Sequence, residues 1–199
     1  MSIAAAEPRP IASMISQAPA KRRILEAVLE LFRSEGVRNV GVDRIIAASS
    51  VTKATFYKHY RSKDNLVVAY LDAMHAEVRE RVERLVAAAP DAAAAIRAIA
   101  AHHGVEVRDP DYRGCPFHTV AVEFSEPVHP VRQRVLAHRD WLTGRLESLL
   151  REAGHPTPGD GADELMLAFD GAFAGARGGD AIAASAALQR TVDRLLSRI

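Results

Sequence analysis

Ile24, Val28, Leu31 and Phe32 recur at the i, i+4, i+7, i+8 spacing that gathers apolar side chains on one face of a helix. Gly36 offers that helix a stop. The pattern then predicts a second helix over about 42–48, opened by Gly41, and a third over about 53–59 capped by the Thr52 hydroxyl. Ser62 caps a long fourth helix, and its apolar stripe through Leu66, Tyr70, Met74, Val78, Val82 and Leu85 carries it to about Ala88. Further along, the spacing predicts helices over about 92–107, 117–124, 131–153, 162–177 and 180–198. The breaks fall at Arg108–Pro116, at Pro127 and Pro130, at Gly154–Gly161 and at Gly178-Gly179. No alternating strand pattern and no repeat interrupts this. The fold class is all-α, with about nine helices.

The second and third helices carry the chemistry. In VDRIIAASSVTKATFYKHYRSK, Ile45, Ile46 and the alanines behind them would be buried, and Ala54 and Phe56 would turn partly inward. That leaves Thr52, Lys53, Thr55, Tyr57, Lys58 and His59 for a phosphate backbone and base edges, as in a helix-turn-helix. A helix amino terminus offers amide hydrogens and a partial positive charge to phosphate. Lys53 stands there, with guanine O6 and N7 its expected target. Thr55 is small enough to touch a thymine methyl or a phosphate, Tyr57 and His59 would reach phosphates, and Lys58 supplies charge. Arg44 and Lys63 would clamp the backbone on either side. Tyr57 has a competing use as a core aromatic on the first helix, and His59 as a cap of its own helix.

Charge changes the picture. From Ala20 to Leu66 ten basic residues face five acidic ones, whereas the whole chain has a net charge of only +1. All four lysines lie in that segment. A positive module joined to a mildly acidic remainder expects a polyanionic partner for the first part alone. Hence the expected organisation is a disordered tail over 1–19, a helix-turn-helix DNA-binding domain over 20–66, and a second helical domain over 67–199. The boundary runs along the fourth helix with no flexible linker. No apolar run approaches the ~18 residues of a membrane span, no secretory signal is read at the start, and a single cysteine suits a reducing compartment. These features predict a cytoplasmic protein with no membrane contact.

The segment from Lys21 to about Leu71 resembles the DNA-binding domain of the TetR family of bacterial transcriptional regulators. The likeness is carried by ILEAVLELF, Gly36, DRI, VTKATFYKHY and SKDNL. RGCPF at 113–117 and FDGAF at 169–173 echo the family more loosely. The resemblance implies a three-helix head and a larger carboxy-terminal helical domain that dimerises and holds a small-molecule effector, with repression as the usual sign. Ser49-Ser50 replaces the family's usual Ala-Gly at the turn. Serine with φ > 0 should cost roughly 1 kcal/mol there. Gly41 stands where the family often has Ser or Thr.

One head reads few base pairs, so a homodimer on a palindromic double-stranded site is expected, with heads about 34 Å apart. The closing helix pair would supply the interface through Leu165, Phe169, Ala172, Phe173, Ala176, Leu188, Val192 and Leu195. Gly171 and Gly175 would admit a neighbouring helix at close range. Cys115, Phe117, His118, Phe124, Trp141 and Phe169 are the candidate effector lining. With Arg113 and His118 nearby, Cys115 also raises redox or electrophile sensing. His102, His103, His118, His129 and His138 lack a paired metal-ligand spacing, so no metal and no cofactor are expected. An enzyme is disfavoured, since no glycine-rich phosphate loop, nucleophile elbow, H-E-x-x-H or CxxC appears. A helical adaptor with an acidic protein partner is the other rival.

Overall fold

The computed structural model describes residues 19–199, and the expected tail lies outside the described residues apart from Pro19, which opens the first helix. Among the described residues there are nine α-helices and no strand. They are α1 (Pro19–Glu35), α2 (Val42–Ser49), α3 (Lys53–Tyr60), α4 (Lys63–Ala88), α5 (Ala92–Glu106), α6 (Pro116–Glu123), α7 (Pro130–Glu152), α8 (Pro158–Arg177) and α9 (Ala181–Leu196). The chain divides into two compact units, one ending at Glu77 and the other starting at Val78.

In the first unit, Ile24, Val28 and Phe32 of α1 are buried with Ile45 of α2, Phe56 and Tyr60 of α3, and Leu66 and Tyr70 of α4. Phe32 meets Tyr70 edge to face at 5.3 Å. Polar caps fix the ends: the Thr52 hydroxyl accepts from the Thr55 amide at 3.1 Å, and the Ser62 hydroxyl accepts from the Asn65 amide at 3.1 Å. Ala47, Ala48 and Ala54 are exposed, contrary to expectation, because α2 and α3 are each only eight residues long and bury a single narrow stripe. Ser49 takes the buried place instead. Its hydroxyl donates to the Ile45 carbonyl at 2.7 Å, so a polar side chain is tolerated in the interior.

Ser50 ends α2 in the left-handed region, at φ 52° and ψ 45°. That conformation lets its amide and that of Val51 close the helix, but a Cβ makes it strained. Ser50→Gly is expected to raise the stability of this unit by roughly 0.5–1 kcal/mol, since the turn is kept and the steric cost removed. Equilibrium urea unfolding checks it; an unchanged or lowered midpoint would refute it.

The second unit closes around Val82, Ile96, Ile99, Leu146, Leu149, Leu165, Phe169, Leu188 and Val192. Helix α8 starts four residues earlier than the pattern predicts. Pro158 serves at its first turn, where the missing N–H costs nothing. Gly104 of α5 lies against α9: a Cβ there would sit 2.8 Å from Ser185 Oγ, which donates to the Gly104 carbonyl at 3.0 Å. Gly175 likewise approaches Ala184 of α9, whereas Gly171 faces open space. Only one of the two glycines thus serves close packing within the chain.

Candidate nucleic-acid interface and effector cavity

Thr52, Lys53, Ala54, Tyr57 and Lys58 are exposed, and the last four fall at i, i+1, i+4 and i+5, so they share the outward face of α3. Phe56 and Tyr60 hold the opposite face in the core, which fixes the rotation of the helix. Tyr57 is 42% exposed with its ring edge to face on Phe56 at 5.2 Å, so the core use of Tyr57 does not hold. Thr55 is turned toward its own cap, its hydroxyl 2.8 Å from that of Thr52. Ala54, missed by the sequence reading, presents a methyl group beside Lys53, the type of contact that suits a thymine methyl. The periodicity signal for it was there, but alanine was read as interior by composition.

The cations differ in how tightly they are held. Lys53 Nζ lies 3.8 Å from Asp43, with both side chains mostly exposed. Such a pair is worth at most about 1 kcal/mol, so Lys53 can exchange its partner at small cost. Arg44 pairs with Glu35 at 3.2 Å. Lys63 donates to the Arg38 carbonyl at 3.2 Å, tying the first turn of α4 to the α1–α2 connection. Lys58 is exposed, and His59 is half-buried at the inner flank.

In the second unit a cavity of about 50 Å³ is lined by matching stripes from two helices. Helix α7 supplies Val135, His138, Arg139 and Leu142; helix α8 supplies Met166, Phe169, Asp170 and Phe173, each set at i, i+3, i+4, i+7. His103, Cys115, Phe117 and His118 complete it. Of the expected lining residues, Cys115, Phe117, His118 and Phe169 are therefore in place. Trp141 is not, because it lies off the α7 stripe and packs against the interior cluster. Phe124 is not either: it caps the end of α6 with its ring 5.0 Å from that of His129.

The polar wall is a cluster that sequence reading did not find. Asp170 accepts from His118 Nε2 at 2.9 Å and from Arg139 at 2.8 Å. Burial alone would raise the Asp170 carboxyl, but these two partners outweigh it and hold it below the usual carboxylate range. A lone aspartate between Phe169 and Phe173 was the available signal. Opposite it, the buried His103 stands with Nδ1 3.3 Å from Glu106 and its ring centroid 4.7 Å from that of Phe169. Phe117 and His138 stack face to face at 3.5 Å.

Two expectations fail on geometry. Burial pushes the Cys115 thiol up to about 11, even though the Phe117 and His118 amides favour the thiolate. Arg113 is turned to Asp111 and the Pro110 carbonyl, and His118 is engaged by Asp170, so neither activates the sulfur. The proposed dimer residues Leu165, Phe169, Ala172, Leu188, Val192 and Leu195 are buried within the single chain, because α8 and α9 turn their apolar faces to each other and to α5 and α7. Phe173 and Ala176 are half-buried. Among the residues α8 leaves outside are Asp160, Asp163, Glu164, Leu167, Gly171 and Ala174, with Leu167 68% exposed; among those α9 leaves are Ile182, Ala183, Ala187 and Arg190, with Ile182 77% exposed. Among the described residues no group of three or more His, Cys, Asp or Glu is placed to hold a metal ion. No helix among them is long and apolar enough to cross a membrane.

Comparison with known proteins adds four findings. The family described as bacterial regulatory proteins, tetR family, matches residues 24–70. The crystal structure of a TetR-family transcriptional regulator from Streptomyces coelicolor is similar, with a TM-score of 0.86 and 34% identity over 91% of this chain and 96% of that one. A putative regulator from Streptomyces avermitilis has a TM-score of 0.71 and 27% identity over 89% and 99%. The HTH-type transcriptional regulator LmrA of Bacillus subtilis is 26% identical over 143 residues, 70% of this chain and 76% of that protein.

Proposed function

The chain belongs to the TetR family of bacterial transcriptional regulators, and on that basis we propose that it is a repressor that binds a palindromic operator as a homodimer and is released by a small-molecule effector. Its family and fold are those of regulators rather than enzymes. The observation that carries the DNA reading is the outward face of α3, where Lys53, Ala54, Tyr57 and Lys58 stand clear of the core behind the Thr52 cap. Lys53 exchanges Asp43 for a base edge, Ala54 offers a methyl, and Tyr57, Lys58 and Arg44 meet phosphates. Thr52 and the first amides of α3 receive a phosphate at the helix amino terminus.

The exposed stripes of α8 and α9, with Leu167, Gly171, Ala174, Ile182 and Ala183, are the face we assign to the second copy. Gly171 has open space where a Cβ would stand, so a partner helix can come close. The effector sits between the α7 and α8 stripes. It must bind one state of the dimer better than the other, since equal binding to both shifts nothing.

Selection of bound sequences from a random duplex pool tests the reading. On the selected site, Lys53→Ala is expected to cost roughly 1–3 kcal/mol of discrimination, whereas Lys58→Ala weakens all sequences alike and lowers the salt slope by about 1. Lys58 is the better probe of phosphate contact than Lys63, whose bond to Arg38 also braces the fold. Failure to enrich any sequence would defeat the proposal, and leave the adaptor reading standing if the chain instead captured an acidic protein.

A further inference from the structure

A second cationic surface lies at the other end of α3. Within the first unit, Lys21 of α1, His59 and Tyr60 of α3, Arg61, and Asn65 and Asp72 of α4 line an open cleft of about 410 Å³. Three of these side chains bear or can accept positive charge, against the single carboxylate of Asp72. Among the described residues, none of Lys21, His59 and Arg61 has a carboxylate within ion-pair distance. In contrast, Arg22, Arg44 and Lys53 all have acidic partners. Lys21 Nζ rests 5.8 Å over the Tyr60 ring, and the Tyr60 hydroxyl donates to the Lys21 carbonyl at 3.2 Å, so the floor of the cleft is fixed by the interior.

Arg61 is the unusual member. It holds φ 42° and ψ −37°, a conformation that L residues rarely adopt, where the chain reverses from α3 into α4. Its amide still closes α3 on the Tyr57 carbonyl at 3.0 Å. It is exposed and stands one residue beyond the carboxy-terminal end of α3. Eight helical residues span about 12 Å, the width of the DNA major groove. A helix that presents its first turn to one sugar–phosphate strand or to the base edges beside it therefore brings its last turn to the opposite strand.

We propose that the Lys21–His59–Arg61 cleft is a phosphate clamp that receives one backbone phosphate of the operator on the strand opposite the one met by the amino terminus of α3. Lys21 and Arg61 supply the charge, and His59 and Asn65 supply further hydrogen-bonding groups. The clamp rests on the DNA-binding reading, but adds residues and a register to it. It reads no base, so it sets where the head stands and how tightly it holds, not which sequence it prefers.

The test uses the full-length chain on its selected duplex, titrated over a range of salt concentrations. Lys21→Gln and Arg61→Gly are made singly and together; glycine removes the charge of Arg61 while relieving its backbone. The double variant is expected to bind selected and random duplexes more weakly by the same factor, about tenfold or more at moderate salt. Its salt slope should fall by about 0.9 for each phosphate lost per head. Arg61→Gly is expected to melt no lower than the parent, which separates lost contact from lost fold. Neutralising phosphates one at a time as methylphosphonates should weaken the parent at one position per half-site and leave the double variant indifferent there. Parent-like affinity and slope in the double variant would overturn the clamp while sequence selection by the parent still upheld the DNA reading. Loss of sequence preference with no change in slope would also overturn it. Weaker binding to inorganic phosphate alone, with operator binding intact, would assign the cleft to a free anion and reject the clamp.

Discussion

Phe56→Ala is expected to unfold the DNA-binding unit and abolish operator binding while leaving the unit from Val78 onward folded. Phe56 is fully buried and centres the small core, meeting Tyr57 at 5.2 Å and Tyr60 at 6.4 Å. Removing a buried phenyl ring costs about 3–5 kcal/mol through lost transfer energy and an unfilled cavity. A helical unit of this size holds only a few kcal/mol in reserve. The loss is thus comparable with everything that keeps α3 in place. Circular dichroism should show part of the helical signal melting early, followed by the main transition of the second unit. Retained duplex binding with a single parent-like melt would contradict this.

Leu167→Glu is expected to have the second largest effect, and by a different route. Leu167 is 68% exposed, so a charge there costs the folded chain little. In a two-fold contact each substitution faces the same patch of its partner, on a stripe that already carries Asp160, Asp163 and Glu164. The protein should sediment as a monomer, with the thermal melt of the single chain preserved. Its affinity for a two-half-site duplex should fall by about 10²–10⁴, because joining two heads supplies affinity that neither has alone. A dimer that survives this substitution would place the interface elsewhere. The point substitution is a cleaner probe than deleting α8 and α9, whose inner faces complete the interior of the second unit.

Long amphipathic helices were readable because their apolar stripes repeat several times. The α1, α4 and α7 patterns, and the caps at Thr52 and Ser62, predict what the structure shows. Short helices gave less. In α2 and α3 one stripe per eight residues leaves alanine ambiguous, and Ala47, Ala48 and Ala54 all lie outside. The cavity was legible only by type. Aromatic residues taken singly point to Phe117 and Phe169 but equally to Phe124 and Trp141, which lie elsewhere. The true lining is a pair of stripes joined by Asp170, His118 and Arg139, and that pairing comes from tertiary contact between α6, α7 and α8. Periodicity names the inner face of a helix without saying which partner covers it. For that reason the apolar faces of α8 and α9, which the pattern assigns to an interface, are covered within the chain itself.

The cavity between α7 and α8 has room for no more than a few waters. A larger guest held wholly inside must therefore wedge Phe169, Phe173 and Leu142 apart as it arrives, so that occupancy and rearrangement become a single event. If the proposed effector enters there, the dose at which it acts is set as much by the stiffness of those walls as by how well they match the guest. Substitutions that loosen them, even out of reach of the guest, would sensitise the response.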